Sequence, residues 1–434
     1  MLGAGAAGLL AAAGCSPYSP DAGNPPGVTT VTFRLWDDSV LPAYRASFDE
    51  FSRRNPDIRV QFLQVPFSDY FTSLPLDVAG GNATDVYWLN AANAAAYVDA
   101  GKLIDVGIEL ADQRKQWAAS AVQEYTRGGR LWGVPAMTDG RIAVYYNRAM
   151  VAAAGVDVDR LRWDPVDRSV DTLLPAARRL TRDRAGRTAD QPGFDPGSVV
   201  QYGYNAARDL QAIYYNFLGS NGARFQTPDD TFDFATPAGE QAFGYLVNMI
   251  DRERVTPSAA DTNTNGDFSR DQFLQGKLAL FQSGTYNLSN VAEGAKFDWG
   301  VAPLPVGPRG QVSVVSSVIA AGNADSPHHE QVLRVLRWLG SPEGAAPLGA
   351  NGTALPAVTA AQAAYYAYWA RRGVDTRWFG EAGGTGTIPA PSGPKFEAAS
   401  TAMEPILNDV FAAAVPLDAG LRHAQDVGNA AVRG

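Results

Sequence analysis

Residues 31–62 leave few folds open. Val31, Phe33 and Leu35 take alternate positions, the spacing of a strand with one buried face, and lead into Trp36-Asp37-Asp38. Leu41, Tyr44, Phe48 and Phe51 then recur at the spacing of a buried helical stripe. Asn55-Pro56 ends that helix, because a residue before proline is pushed out of the helical region, and Ile58, Val60 and Phe62 alternate again. A strand, a helix and a strand without a hairpin turn predict a βαβ unit. Such a unit implies a parallel sheet whose ligand face lies at the carboxyl ends of its strands. Asp85 to Asn90 reads as a third strand, leaving Asn90 and Asn93 in the loop beyond it.

The rest of the chain repeats the α/β pattern. A helix is predicted near Val170 to Thr181, and Pro237 opens another in which Ala242, Tyr245, Leu246, Met249 and Ile250 share one face. With 434 residues and 46% hydrophobic content the chain can fill a large core, divided among domains or between two lobes. A net charge of -9 argues against nucleic acid as a partner, since phosphate neutralisation needs a basic stripe. Three histidines and one cysteine leave little for a metal site, and no cofactor is expected. Gly3-Ala4-Gly5-Ala6-Ala7-Gly8 has dinucleotide-binding spacing, but no strand delivers the chain into it.

The cysteine is Cys15, preceded by Leu9-Leu10-Ala11-Ala12-Ala13-Gly14. A small-residue pair before a Cys, closing a short apolar stretch, is what a lipoprotein signal peptidase needs. Residues 1–15 are therefore expected to be a signal peptide with its lipid-acceptor cysteine, and 16–27, rich in Pro, Gly and Ser, a flexible tether. The mature protein would sit on the outer face of the cell membrane, held by lipid alone.

Several strings together resemble the extracellular solute-binding protein family 1, the substrate-binding lipoproteins of carbohydrate ABC importers. Asn55-Pro56-Asp57-Ile58-Arg59-Val60 and Thr84-Asp85-Val86 resemble its second and third strands. Leu131 to Pro135 followed by Val144-Tyr145-Tyr146-Asn147 is similar to its first crossing between lobes. Phe273 to Leu280 with Gly284-Thr285-Tyr286 resembles the segment that places an aromatic in the cleft. Pro303-Leu304-Pro305 and Gly352 to Pro356 resemble the later crossings. Members often carry Trp where this chain has Tyr286, and a glycine pair in place of Ser316-Ser317.

The resemblance implies a two-lobed periplasmic-binding-protein-like fold of type II, each lobe a mainly parallel sheet flanked by helices, joined by a multi-segment hinge. Lobe 1 would comprise 28–140 plus 306–345, and lobe 2 141–305 plus 346–434. It implies a monomer that binds a carbohydrate between the lobes, without transforming it, and delivers it to ABC permease subunits. In the matched motifs Asp37, Asp38, Asn90, Asn93 and Asp139 would be polar contacts, and Trp36, Tyr286 and Trp378 stacking surfaces. Plainer roles stay open for each polar group: Asp37-Asp38 capping a helix, Asn90 and Asn93 satisfying loop backbone, Asp139 turning the chain beside Gly140. Two other functions also stay open. A binding protein for a glycerophosphodiester or other phosphorylated polyol would show arginines in the cleft, for which Arg141 and Arg224 are candidates. A secreted glycoside hydrolase would need paired carboxylates across the scissile bond.

Overall fold

The computed structural model describes residues 21–434, apart from 22, 228 and 381–385. Cys15 and residues 16–20 and 22 of the expected tether lie outside the described residues. Its last part is not free: Asp21 accepts the Thr30 N–H at 2.6 Å, and the Asn24 amide donates to Thr30 Oγ1 at 2.7 Å. Short Asp and Asn side chains satisfy nearby backbone readily, so this end of the tether is tied to the first strand.

The opening βαβ unit forms as read. Strand Thr29–Leu35 pairs in parallel with Ile58–Gln64 on one side and with Val86–Asn90 on the other. Helix Leu41–Arg54 crosses between the first two, with proline in its first turn and Tyr44, Phe48 and Phe51 buried. Asp85 ties the layer together, accepting from Thr32 N and Oγ1 at 2.8 and 2.7 Å and from Ser326 Oγ at 2.6 Å.

The sheet continues beyond Val86–Asn90 into Val312–Gly322, then Val134–Gly140, then Leu355–Pro356, each pair antiparallel. The first half of Val312–Gly322 also pairs in parallel with Gly386–Pro389. A second sheet sets Ala143–Asn147 between Leu280–Ser283 and Trp299–Ala302. Both neighbours run antiparallel to it, which corrects the expectation of a mainly parallel sheet in each lobe. Parallel pairing follows from a single strand–helix–strand crossover, and the stretch from Ala143–Asn147 to its neighbours is no such unit: it runs through several helices and two further strands before returning at Leu280–Ser283.

Two large cores correspond to the two lobes. One packs Val31 to Met137 with Val318 to Ala361, and the other Ile142 to Val314 with Phe396 to Ala424. A smaller apolar cluster, including Tyr145, Phe281, Tyr365 and Phe379, lies around the second sheet.

Candidate functional site

A cavity of about 420 Å³ opens where the strands of the first lobe end and face the second lobe. Trp36 and Asp37 follow Thr29–Leu35 directly, and Asn90 is the last residue of Val86–Asn90, so these stand at the carboxyl ends of parallel strands. Val134–Gly140 contributes Asp139, and Val312–Gly322 contributes Ser316 and Ser317. The opposite wall carries Gln211 from the π-helix Leu210–Tyr214, and Tyr286 from the turn Thr285–Asn287.

Asp139 reaches the cavity through an irregular pairing. Ser316 lies opposite Gly140 and Ser317 opposite Thr138, so Asp139 is the extra residue of a bulge, a device that re-aims a side chain. Ser316 Oγ donates to Asp139 Oδ2 at 2.6 Å, and Gln211 Nε2 donates to Ser316 Oγ at 2.8 Å, linking the two walls. Burial raises the Asp139 carboxyl above the ordinary carboxylate range, opposed by the Ser316 hydrogen bond. Gly140 makes the bulge possible. Its φ is +64°, and a Cβ there would sit 2.3 Å from the Phe379 carbonyl oxygen.

The aromatic surface forms around Trp36. Its half-buried ring meets Trp88, Tyr70 and Phe67 edge-on at 4.9, 5.1 and 5.7 Å. Phe67 also lines the cavity and is more than half exposed, and Tyr286 across from it is somewhat less so.

The expected site residues divide. Trp36, Asp37, Asn90, Asp139 and Tyr286 line one cavity; Asp38, Asn93 and Trp378 do not. Asp38 is exposed in the short helical turn Asp38–Val40, Asn93 binds back onto Asn90 Oδ1 at 2.9 Å, and Trp378 sits under the Arg377 guanidinium against the smaller apolar cluster. Of the Asp37-Asp38 pair, Asp37 is the cap; no loop follows the third strand, because helix Ala91–Asp99 begins there with Asn90 as its cap and Asn93 inside it. Asp37 accepts the Ser39 N–H at 2.9 Å and Asn90 the Asn93 N–H at 3.1 Å, and both residues also line the cavity.

Sequence reasoning passed over Phe67, Gln211 and Glu124. Glu124 lies behind the lining, where it accepts from Ser317 Oγ, and burial pushes its carboxyl up to about 8. Among the described residues no Lys, Arg or His lines the cavity. Arg141 is buried and donates to the Gly386 carbonyl at 3.2 Å, and Arg224 faces Asp233 at 3.6 Å. A larger groove of about 570 Å³ touches Ser39, Glu293 and Arg372 but gathers none of the expected residues. No group of three or more His, Cys, Asp and Glu suited to a metal occurs among the described residues, and none of their helices is long and apolar enough to cross a membrane.

Residues 37–346 match the family described as bacterial extracellular solute-binding protein. The crystal structure of UspC from M. tuberculosis is 50% identical, covers 93% of this chain and all of its own, and superposes with a TM-score of 0.80. The ABC substrate-binding protein of Listeria monocytogenes, solved in complex with cycloalternan, is 20% identical over 93% of this chain and 98% of its own, with a TM-score of 0.78. An uncharacterized lipoprotein of Streptomyces antibioticus is 24% identical over 81% of this chain and 75% of its own length.

Proposed function

The chain belongs to the bacterial extracellular solute-binding proteins, and from that premise we propose that it captures a carbohydrate between its lobes and hands it to the permease of an ABC importer. One observation carries the reading: a single cavity joins aromatic faces (Trp36, Phe67, Tyr286) to polar groups (Asp37, Asn90, Asp139, Ser317) with no cation among its described lining. Sugar C–H faces stack on aromatic rings, while hydroxyls need both donors and acceptors. The cycloalternan complex of the Listeria protein supports the same class. A monosaccharide, an oligosaccharide or an amino sugar would satisfy this lining. A phosphorylated polyol would face carboxylates without a guanidinium to pair with, so the cavity favours the sugar.

The protein acts as a receptor and not as an enzyme, and as a monomer. The lipoprotein among its relatives supports an anchor at Cys15 on the extracellular face of the membrane. Incubation with a panel of mono- to tetrasaccharides tests the reading, with binding followed by calorimetry and products by chromatography. Saturable binding without cleavage is expected. Turnover on the order of 1 per second or faster would instead establish a glycoside hydrolase.

A further inference from the structure

Resting on the carbohydrate reading, we propose that Glu124, which lies behind the cavity lining, decides whether Ser317 offers the solute a donor or an acceptor, and so acts as a positioning residue for specificity. Ser317 lines the cavity and is only 3% exposed. It is held on the strand Val312–Gly322 opposite Thr138, and its carbonyl accepts the Tyr125 hydroxyl. What is left free is the rotation of its own hydroxyl. Among the described residues the one partner of that hydroxyl is Glu124, whose Oε2 accepts from it. Neighbouring Ser316 differs, because it donates to Asp139 at 2.6 Å and accepts from Gln211 at 2.8 Å, so both of its roles are taken within the protein.

A hydroxyl has one proton, a carboxylate can only accept, and a neutral carboxyl can do either. When Glu124 is ionised, the Ser317 proton is committed to it and the solute meets lone pairs alone. When Glu124 is neutral, it can donate to Ser317 Oγ, and the Ser317 proton becomes available to the solute. The surroundings keep both states within reach. Helix Ala119–Glu124 packs against Val312–Gly322 and Val134–Gly140, and the titratable groups placed near Glu124 are Asp139 on the latter strand and Tyr125, next in the chain. No cation pairs with Glu124 among the described residues: Arg114 donates to Thr126 Oγ1 at 3.3 Å, and Arg127 pairs with Asp99 at 2.9 Å. Glu124 Oε1 is buried without a partner. Burial, opposed by the Ser317 hydrogen bond and reinforced by the Asp139 charge, pushes the carboxyl up to about 8. A sugar hydroxyl satisfies either state, since it both donates and accepts. A position that cannot donate fits only the neutral one.

Calorimetry tests this by pairing each sugar that binds, from a panel of mono- to tetrasaccharides, with its monodeoxyfluoro derivatives, in which fluorine replaces one hydroxyl and cannot donate. Binding is measured at pH values on either side of about 8. For at least one position the affinity ratio of parent to fluoro sugar is expected to rise about tenfold from the lower pH to the higher, the cost of a buried acceptor left without a donor. Glu124→Gln, which stays neutral and keeps a donor and an acceptor, is expected to hold that ratio constant across the range. Ser317→Ala, which removes the hydroxyl, is expected to do the same and decides the question should the first variant not fold. A merely structural role would lower both affinities together and leave the ratio alone, with apo melting at both pH values as the control. A ratio independent of pH at every position, or a rise that survives in either variant, overturns the inference while the carbohydrate reading stands. Failure of every sugar to bind overturns both.

Discussion

Tyr286 is 43% exposed, which separates its possible roles. A ring with nearly half its surface open has less folding stability to lose than a core ring. Tyr286→Ala is expected to weaken sugar binding by about 1–3 kcal/mol, the worth of an aromatic contact whose open part is desolvated when ligand arrives. Melting of the ligand-free protein should barely move, whereas a core ring would cost about 3–5 kcal/mol. Unchanged affinity with a large loss of apo stability would remove Tyr286 from the site. Glu124 gives a prediction in pH. Its carboxyl is raised from 4.5 to about 8 by burial, and its Oε1 has no partner. Between those values the unfolded chain has released the proton that the fold retains, so the stabilising contribution is complete below the unfolded pKa and lost as pH rises through the folded one. Stability is expected to fall across that window, and Glu124→Gln, neutral throughout, to flatten the fall. A slope that persists in the variant would assign it to another group. Trp36, Asp37, Asn90, Asp139 and Tyr286, expected from their places in the matched motifs, come together around one cavity. Phe67 was not legible, since Pro75 inside Phe67–Ala79 blurs the helical period that would have marked it as an outward-facing exception.

At the level of elements, Val312–Gly322 does what no single residue can. Its first half pairs with Gly386–Pro389 and carries Val314 of one large core; its second half pairs with Val86–Asn90 and Val134–Gly140 and carries Val318 to Ala321 of the other. Ser316 and Ser317 lie between those halves, so the polar lining sits where the strand passes from one lobe to the other. The bulge opposite them depends on Gly140. Gly140→Ala combines a left-handed backbone with a Cβ driven into the Phe379 carbonyl, and is expected to cost about 1–3 kcal/mol or more of stability. It should also weaken sugar binding by displacing Asp139. Denaturant unfolding and calorimetry together check this, and a variant as stable as the parent would mean the bulge relaxes without loss. The opening βαβ unit and the helix Pro237–Asp251 were legible from periodicity alone. The π-helix Leu210–Tyr214 was not, because its backbone pattern leaves no distinctive spacing of apolar residues, and with it went Gln211. The antiparallel second sheet escaped for another reason: strand direction there follows from where the chain crosses between lobes, which local spacing does not encode.

For the whole molecule, the cavity is useful only if binding is coupled to the relation between lobes. Its lining comes from both cores, with Asp37, Asn90 and Ser317 on one side and Gln211, Tyr286 and Phe396 on the other. A sugar that touches both walls gains contacts in a closed arrangement that an open one cannot offer, and that difference in affinity is what shifts the population. The Gln211–Ser316–Asp139 chain of hydrogen bonds already joins the walls. Two measurements follow from this. At a sugar concentration about a hundred times Kd, the folded protein should gain about 2.7 kcal/mol, seen as a rise in melting temperature that grows with concentration. Small-angle scattering should show the radius of gyration falling as the same sugar saturates. Gln211→Ala is expected to reduce the stabilisation and the contraction together, because it removes a contact that joins the walls. A thermal shift with no change in radius would mean that the sugar is held by one lobe alone, and the cavity would then be a binding surface without the conformational signal that a permease reads.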